Sequence, residues 1–376
     1  MGEVKRIPLA VPDLGRRELE LVSACIVDNW VSSAGPSVVA LENEMARLTG
    51  RAFAVATVNG TAALHMALLG IGIGAGDMVI VPDWTFAATA NAVAHAGAQP
   101  LLVDVSAADW ALDAGLVEEA LAKHAGVKAV IAVDPLGHAA DYDALAAVCD
   151  RHGVALIEDA AAAIGASYKG RPCGAFGRAA AFSFNGNKTV TAGGGGALVT
   201  DDADLAKLVR HVSTTARVGG DYLHDRVGYN YRMPNLNAAL ALAQIERLPE
   251  LVAAKRAIAA RYDAALAGRA DILPMPRPAA SQSTAWLYNA RVANGDAARA
   301  LVQAMDAAAI DARVFWRSLA SQPAWRDAPS VLRGVSAALS GTVVSLPCSS
   351  SLDAGSQARV IAVLNGWRGE PLGAAA

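Results

Sequence analysis

VALIEDAAAAIGASYKGRPCGAFGRAAAFSFNGNKTVTAGGGGALVT, residues 154–200, decides the fold. It holds three short apolar runs, VALIE (154–158), AAFSF (180–184) and ALVT (197–200), separated by glycine, asparagine and charged residues. Runs of four to eight apolar residues bounded by turn formers read as buried strands. Upstream, FAVATV (53–58), MVIVP (78–82), PLLVDV (100–105) and AVIAV (129–133) have the same character. Between most of them lie segments such as TAALHMALLGIG (61–72) and DYDALAAVCDRHG (141–153), which read as amphipathic helices rich in alanine and leucine. Strands alternating with helices predict an α/β fold with a largely parallel sheet covered on both faces. In such sheets ligands gather at the carboxyl ends of the strands.

The pattern changes near residue 245, so we expect a large domain over 1–245 and a smaller α/β domain over 246–376. NAALALAQIERLPELVAAKRAIAARYDAALAG (237–268) reads as one long helical stretch running into the proline-rich LPMPRPAASQS (273–283). A strand, WLYNARV (286–292), and helices over 295–310 and 353–367 follow, and the tail RGEPLGAAA is expected to be loose.

Composition excludes several classes. With 54% hydrophobic and 18% charged residues in a chain of 376, a compact core is expected. The longest apolar stretch, LLGIGIGAGDMVIV (68–81), is broken by glycines and Asp77, which argues against a membrane span. A net charge of -3 with scattered arginines argues against nucleic acid as a partner. The first residues lack the apolar core of a signal peptide, so a cytoplasmic location is expected. Cys25, Cys149, Cys173 and Cys348 show no paired ligand spacing and read as small buried hydrophobes.

The chemistry sits at strand ends. VALIED closes on Glu158 and Asp159, and Lys188 follows the next strand by a few residues, flanked by glycines that let backbone pass close to a ligand. Alone, an acid after a strand is most often a helix cap, and a lysine is most often a solvated surface group. A third element shifts the balance: VNGTAAL (58–64) puts Asn59, Gly60 and Thr61 at a strand-to-helix junction, where backbone N–H groups and the helix dipole favour a phosphate. A lysine amine, a carboxylate and a phosphate cradle on one sheet edge suggest pyridoxal 5'-phosphate. The amine would form a Schiff base with the aldehyde, and the carboxylate would keep the pyridine nitrogen protonated.

The chain resembles the DegT/DnrJ/StrS sugar aminotransferases, fold-type-I pyridoxal-phosphate enzymes with the aspartate-aminotransferase-like fold. The motifs that carry the likeness run in order: NGTAALHMAL (59–68), VPDWTFAATANAV (81–93), IEDAAAAIGA (157–166), FSFNGNKTVTAGGGG (182–196) and GYNYRMPNLNAALALAQIERL (228–248). The resemblance implies Lys188 as the Schiff-base lysine and general base, and Asp159 as the partner of the pyridine nitrogen. It implies Gly60, Thr61 and Ser183 as phosphate contacts and Phe86 as the aromatic stacked on the ring. Asn230 would reach the phosphate from the other subunit of a homodimer. The implied substrates are L-glutamate and a nucleotide-linked keto sugar, aminated at a 3-keto or 4-keto carbon. Arg232, Arg313 and Arg317 are candidates for the diphosphate, and Trp84, Trp316 and Tyr229 for the sugar or base; each has an ordinary structural reading as well. His65 and His138 receive no role.

The chain departs from the family pattern at Ala162, where a polar residue usually meets the ring hydroxyl, and at Asn185 and Gly194, where histidine and glutamate are usual. The SFNGNK and GGGG forms are similar to a branch acting in pathways to nonulosonic acids such as legionaminic acid. Sugar dehydratases of the same fold carry histidine in place of the lysine, so Lys188 argues against dehydration. A catalytically silent cofactor-binding regulator would fit the loss at Ala162. A nicotinamide dehydrogenase lacks support, because GIGIGAG (70–76) follows a helix and precedes a strand, the reverse of the dinucleotide fingerprint.

Overall fold

The computed structural model describes residues 5–372. An eight-stranded sheet runs in the spatial order Phe53–Thr57, Gly196–Thr200, Ala179–Ser183, Ala155–Asp159, Val127–Val133, Met78–Pro82, Gln99–Val103, Ser330–Val331. Every neighbouring pair from Ala179–Ser183 onward is parallel, and only Gly196–Thr200 runs against the rest, pairing antiparallel with both its neighbours. All seven strands expected up to residue 200 are present within a few residues of their predicted ends. Because Phe53–Thr57, Met78–Pro82, Val127–Val133, Ala155–Asp159 and Ala179–Ser183 point the same way, their carboxyl ends form one edge.

Helices cover both faces, as strands buried on two sides require. Pro36–Thr49, Tyr142–His152 and Asn235–Glu246 pack with one face, around Leu41, Met45, Leu145 and Phe182. Gly60–Gly70, Ala88–His95 and Ala203–Ser213 pack on the other, around Leu64, Leu68, Val93 and Val209. Their starts follow side-chain capping: Asp141 accepts from the Ala144 N–H at 3.2 Å and Asp202 from that of Leu205 at 2.9 Å.

Two helical expectations change. Gly60–Gly70 is not amphipathic: every residue from Ala62 to Leu68 is buried, because the helix is wedged between the sheet and both Ala88–His95 and Ala203–Ser213. The stretch expected as one long helix is two, Asn235–Glu246 and Leu248–Leu266, broken at Arg247 with φ -99° and ψ 3°. Pro249 causes the break, since it has no N–H to continue the ladder and its ring would strike the carbonyl four residues back.

The last third builds a four-stranded antiparallel sheet, Ile272–Pro274, Tyr288–Val292, Val343–Leu346 and Arg313–Phe315 in spatial order, with its own core around Tyr262, Leu301 and Val344. The chain also crosses back. Ser330–Val331 adds the final parallel strand to the large sheet, and Asp104 fixes it there: its carboxylate accepts the backbone N–H groups of Arg333, Gly334, Val335 and Ser336 at 2.7–3.0 Å. The tail expected to be loose is tied as far as Leu372, whose N–H donates to Ala270 O at 2.8 Å, while Gly369 N–H donates to Asp271 at 2.9 Å. Residues 373–376 lie outside the described residues. The four cysteines are free and buried. Among the described residues no helix is long and apolar enough to cross a membrane.

Candidate active site

The shared carboxyl edge opens into a cavity of about 370 Å³, lined on its floor by Gly60, Thr61, Asp159, Ser183 and Lys188. That volume lies in the range of about 300–1,000 Å³ usual for small-molecule and cofactor sites.

At one end stands the helix Gly60–Gly70. Asn59 caps it in extended conformation, its side-chain oxygen accepting the Ala62 N–H at 2.7 Å, so the first turn of the helix faces the cavity. Glycine is required beside this cradle. A Cβ on Gly196 would lie 2.5 Å from the Asn59 carbonyl carbon and 2.7 Å from the Gly60 nitrogen, both backbone atoms that cannot move aside. Ser183 and Thr61 add hydroxyls on the same side. The donor set suits a dianionic phosphate.

At the other end, strand alternation sends Asp159 and Glu158 to opposite faces. Asp159 faces the cavity, where the Thr89 hydroxyl donates to Oδ2 at 2.8 Å and the Ala161 N–H to Oδ1 at 3.2 Å. Burial pushes this carboxyl above the ordinary range, and those two donors with the charge of Lys188 draw it partly back. Glu158 is therefore no substitute for it. It points away, accepting N–H bonds from Gly174 at 2.5 Å and Phe176 at 3.0 Å beside Asp134 and Cys173, and burial with the nearby Asp134 charge raises it well above the usual carboxylate value.

Lys188 sits in the turn after Ala179–Ser183, closed by its own N–H to Asn185 O at 3.0 Å. Its side chain is half-buried, and the exposed part opens into the cavity. Burial lowers the amine to about 8, with Asp159 pulling the other way. An amine poised near neutrality can be a nucleophile and a proton carrier. A buried carboxylate, a depressed lysine and an anion cradle thus converge on one cavity, and this set fits pyridoxal 5'-phosphate: phosphate at the helix start, aldehyde near Lys188, pyridine nitrogen at Asp159.

The other expected site residues divide. Phe86 lines the cavity and is 62% exposed there, open to stack on a planar ring. Trp316 lines it too, at the side contributed by the last third of the chain. Trp84 does not: it is 1% exposed behind the site, its N–H donating to Trp316 O at 3.2 Å and its ring edge-on to Trp110. Arg232 is engaged elsewhere, buried in an ion pair with Glu42 at 2.7 Å and bonded to Ala56 O, so it is structural and not a diphosphate contact. Tyr229 stacks on Tyr231 and meets His65 edge-on, outside the cavity lining. Arg313, Arg317 and Asn230 are exposed, and none of them lines the cavity of this chain. Among the described residues His65 and His138 are buried with no hydrogen-bond partner for their rings, and burial lowers each to about 4. Sequence reasoning missed Thr89, which holds Asp159, and Trp286, whose ring lies 3.7 Å from the Lys188 amine.

Fold and site together define a fold-type-I pyridoxal-phosphate enzyme. The chain belongs to the DegT/DnrJ/EryC1/StrS aminotransferase family, whose model matches residues 12–365. It is 37% identical over 373 residues to EpsN of Bacillus subtilis, covering 96% of this chain and 95% of that one. It is 35% identical over 369 residues to the GDP-perosamine synthase of Caulobacter vibrioides, covering 97% and 99%. Among solved structures, DesV of S. venezuelae superposes with a TM-score of 0.88 at 32% identity, over 95% of this chain and 98% of that one. The protein is accordingly a sugar aminotransferase with pyridoxal 5'-phosphate as its cofactor.

Proposed function

We propose that the protein moves an amino group from L-glutamate to the keto group of a nucleotide-linked deoxysugar, at a 3-keto or 4-keto carbon. The observation that carries this reading is the placement of Lys188 and Asp159 on one cavity with the cradle of Gly60, Thr61 and Ser183. The cofactor, when bound, supplies an electron sink that makes the donor's Cα proton acidic. Asp159 holds the pyridine-nitrogen proton, helped by Thr89. Lys188 would anchor the group and, as a free amine, would carry a proton from the donor carbon and later return one to the sugar carbon. Phe86 would pack on the ring face. The division into a large domain over 1–245 and a small one over 246–376 belongs to the same reading, with the small domain supplying Trp316 and Trp286.

The site is shared between two chains. Asn230 is exposed and does not line the cavity of its own chain, which fits a residue that serves the partner's phosphate in a homodimer. Arg313 and Arg317, both exposed, stay candidates for the diphosphate. Lys188 speaks against the dehydratase alternative, and a glutamate-dependent spectral change separates amino transfer from a silent binder. Since one relative is named GDP-perosamine synthase, GDP-linked keto sugars are the first acceptors to test, ahead of the nonulosonic-acid branch.

The experiment has two halves. Glutamate alone should convert the absorbance of the cofactor's aldehyde form to that of its amine form and release 2-oxoglutarate. A panel of GDP-, UDP- and dTDP-linked keto sugars should then restore the first form and yield an amino sugar by mass. A spectrum that glutamate leaves unchanged would overturn the donor, and one that no keto sugar restores would overturn the acceptor class.

A further inference from the structure

Trp286 lies two residues before the strand Tyr288–Val292 of the second sheet, yet its side chain reaches the chemistry of the first. Its indole face lies 3.7 Å from the Lys188 amine, and its N–H donates to the carbonyl of Asn187, the residue before that lysine, at 2.7 Å. The ring is thus pinned at its edge to the Lys188 turn while its face meets the Lys188 head group.

The backbone that delivers Trp286 is held from several sides. Ser283 Oγ and Thr284 N–H both donate to Gly137 O, at 2.7 and 2.8 Å, and Thr284 Oγ1 donates to Ala162 O at 3.3 Å. Gly137 has to be glycine, because at φ +94° a Cβ would lie 2.5 Å from Thr284 Oγ1 and 3.0 Å from Trp286 N. Behind the tryptophan, the buried Lys255 ammonium donates to Trp286 O at 3.2 Å and to Cys348 O at 2.6 Å. Ala285 sits at φ +53°, a left-handed conformation that a residue with a Cβ adopts only when its surroundings enforce it. Strain enforced next to a functional lysine points to a purpose for the ring that follows.

We infer that Trp286 is a positioning residue for Lys188: its indole face docks the ε-ammonium whenever the amine is not covalently engaged and holds it over the cavity. The inference rests on the proposed role of Lys188 as anchor and proton carrier. A free lysine on a four-carbon stem would otherwise sample many rotamers between its two tasks. A tryptophan face attracts a cation through its ring quadrupole without donating or accepting a proton, so it can hold the ammonium without competing for its chemistry.

The attraction acts on the charged form, so it raises the lysine's pKa against the burial that lowers it. Replacing the ring with an apolar side chain keeps most of the burial and removes the quadrupole. Trp286→Leu should therefore shift the titration of Lys188 downward from about 8, by roughly half a unit to one and a half units. Trp286→Phe retains a π face and should shift it less.

The test uses the full chain freed of cofactor. Reaction of Lys188 with a small amine reagent, formaldehyde with borohydride, is followed by peptide mass spectrometry as a function of pH, in parent, Trp286→Phe and Trp286→Leu. The expected order of midpoints is parent highest, Phe close below, Leu lowest. A Leu midpoint equal to or above that of the folded parent would overturn the inference, leaving the tryptophan a mere wall. If Trp286→Leu fails to fold, Trp286→Phe and Trp286→Met decide it, and equal midpoints in those two overturn it as well. Because this readout involves neither glutamate nor sugar, it separates failure of the docking role from failure of the proposed reaction. In turnover, loss of docking should lower kcat more than it raises KM, whereas loss of a substrate wall would do the reverse.

Discussion

Thr89→Val isolates the support of Asp159. The two side chains are nearly isosteric, Thr89 is 1% exposed, and the exchange removes the 2.8 Å hydrogen bond to Asp159 Oδ2 while the Ala161 N–H at 3.2 Å remains on Oδ1. A hydrogen bond to a charged acceptor contributes about 1.5–3 kcal/mol. With one donor left in place, the lower half of that range applies, and at about 1.4 kcal/mol per unit the loss raises the pKa of the carboxyl by roughly one unit. The sign follows from which form is bonded: the hydroxyl stabilises the carboxylate, so removing it favours the neutral acid. Asp159 must be ionised to hold the pyridine-nitrogen proton. The acid limb of the kcat/KM profile should therefore move about one unit towards neutral pH, costing about tenfold in rate on that limb, with recovery at higher pH. Thr89→Ser, which restores the hydroxyl, should restore the limb. An unmoved limb in a folded Thr89→Val protein, or a Ser variant as displaced as the Val variant, would refute the reasoning.

Three further outcomes are expected. Lys188→Ala should abolish turnover while circular dichroism stays near the parent and some phosphate-dependent cofactor binding remains, because the cradle is built from other residues; retained transamination would remove Lys188 from its role. Asp134, buried with its Oδ2 unpartnered beside Glu158, is raised to about 6 from an ordinary value near 3.8, so its contribution to stability is full below about 4 and is lost as pH rises through about 6. Asp134→Asn should then gain on the parent as pH rises through that window in paired denaturant titrations, and a constant gap from pH 4.5 to 7.5 would contradict it. A verified heterodimer of Lys188→Ala and Asn230→Ala chains should regain up to about half the parent activity, since one of its two sites is intact when the site is shared; no recovery above an impaired Asn230→Ala parent would place both residues in one chain's site.

The seven strands of the large sheet up to residue 200 were legible because most of their residues are buried on both faces and apolar, whereas Ser330–Val331, two residues long and half exposed, leaves no such run. Lys188 and Asp159 were legible because polar residues at the ends of such runs stand out against them. The helix over Gly60–Gly70 misled for the opposite reason: it is buried all round, and His65, the one polar residue on its inner turns, reads in sequence as the start of a solvated face. Arg232 shows a second limit. Its partner Glu42 lies 190 residues upstream, and no local pattern announces a buried ion pair across that distance. Trp286 shows a third, since its neighbourhood depends on how the last third of the chain docks on Gly137 and Ala162.

The return of Ser330–Val331 to the large sheet sets the order in which the nascent chain can be completed. Gln99–Val103 remains a bare edge, with unpaired backbone groups open to other chains, until a strand made far later pairs with it; Arg333 and the Asp104 carboxylate that receives it are 229 residues apart. At about 5–20 residues per second the ribosome leaves that edge uncovered for roughly ten to fifty seconds. Expression yield should then depend on chaperone supply more than the finished protein's stability would suggest, and chains ended before residue 336 should aggregate through Gln99–Val103 even though the catalytic lysine and its aspartate have already been made.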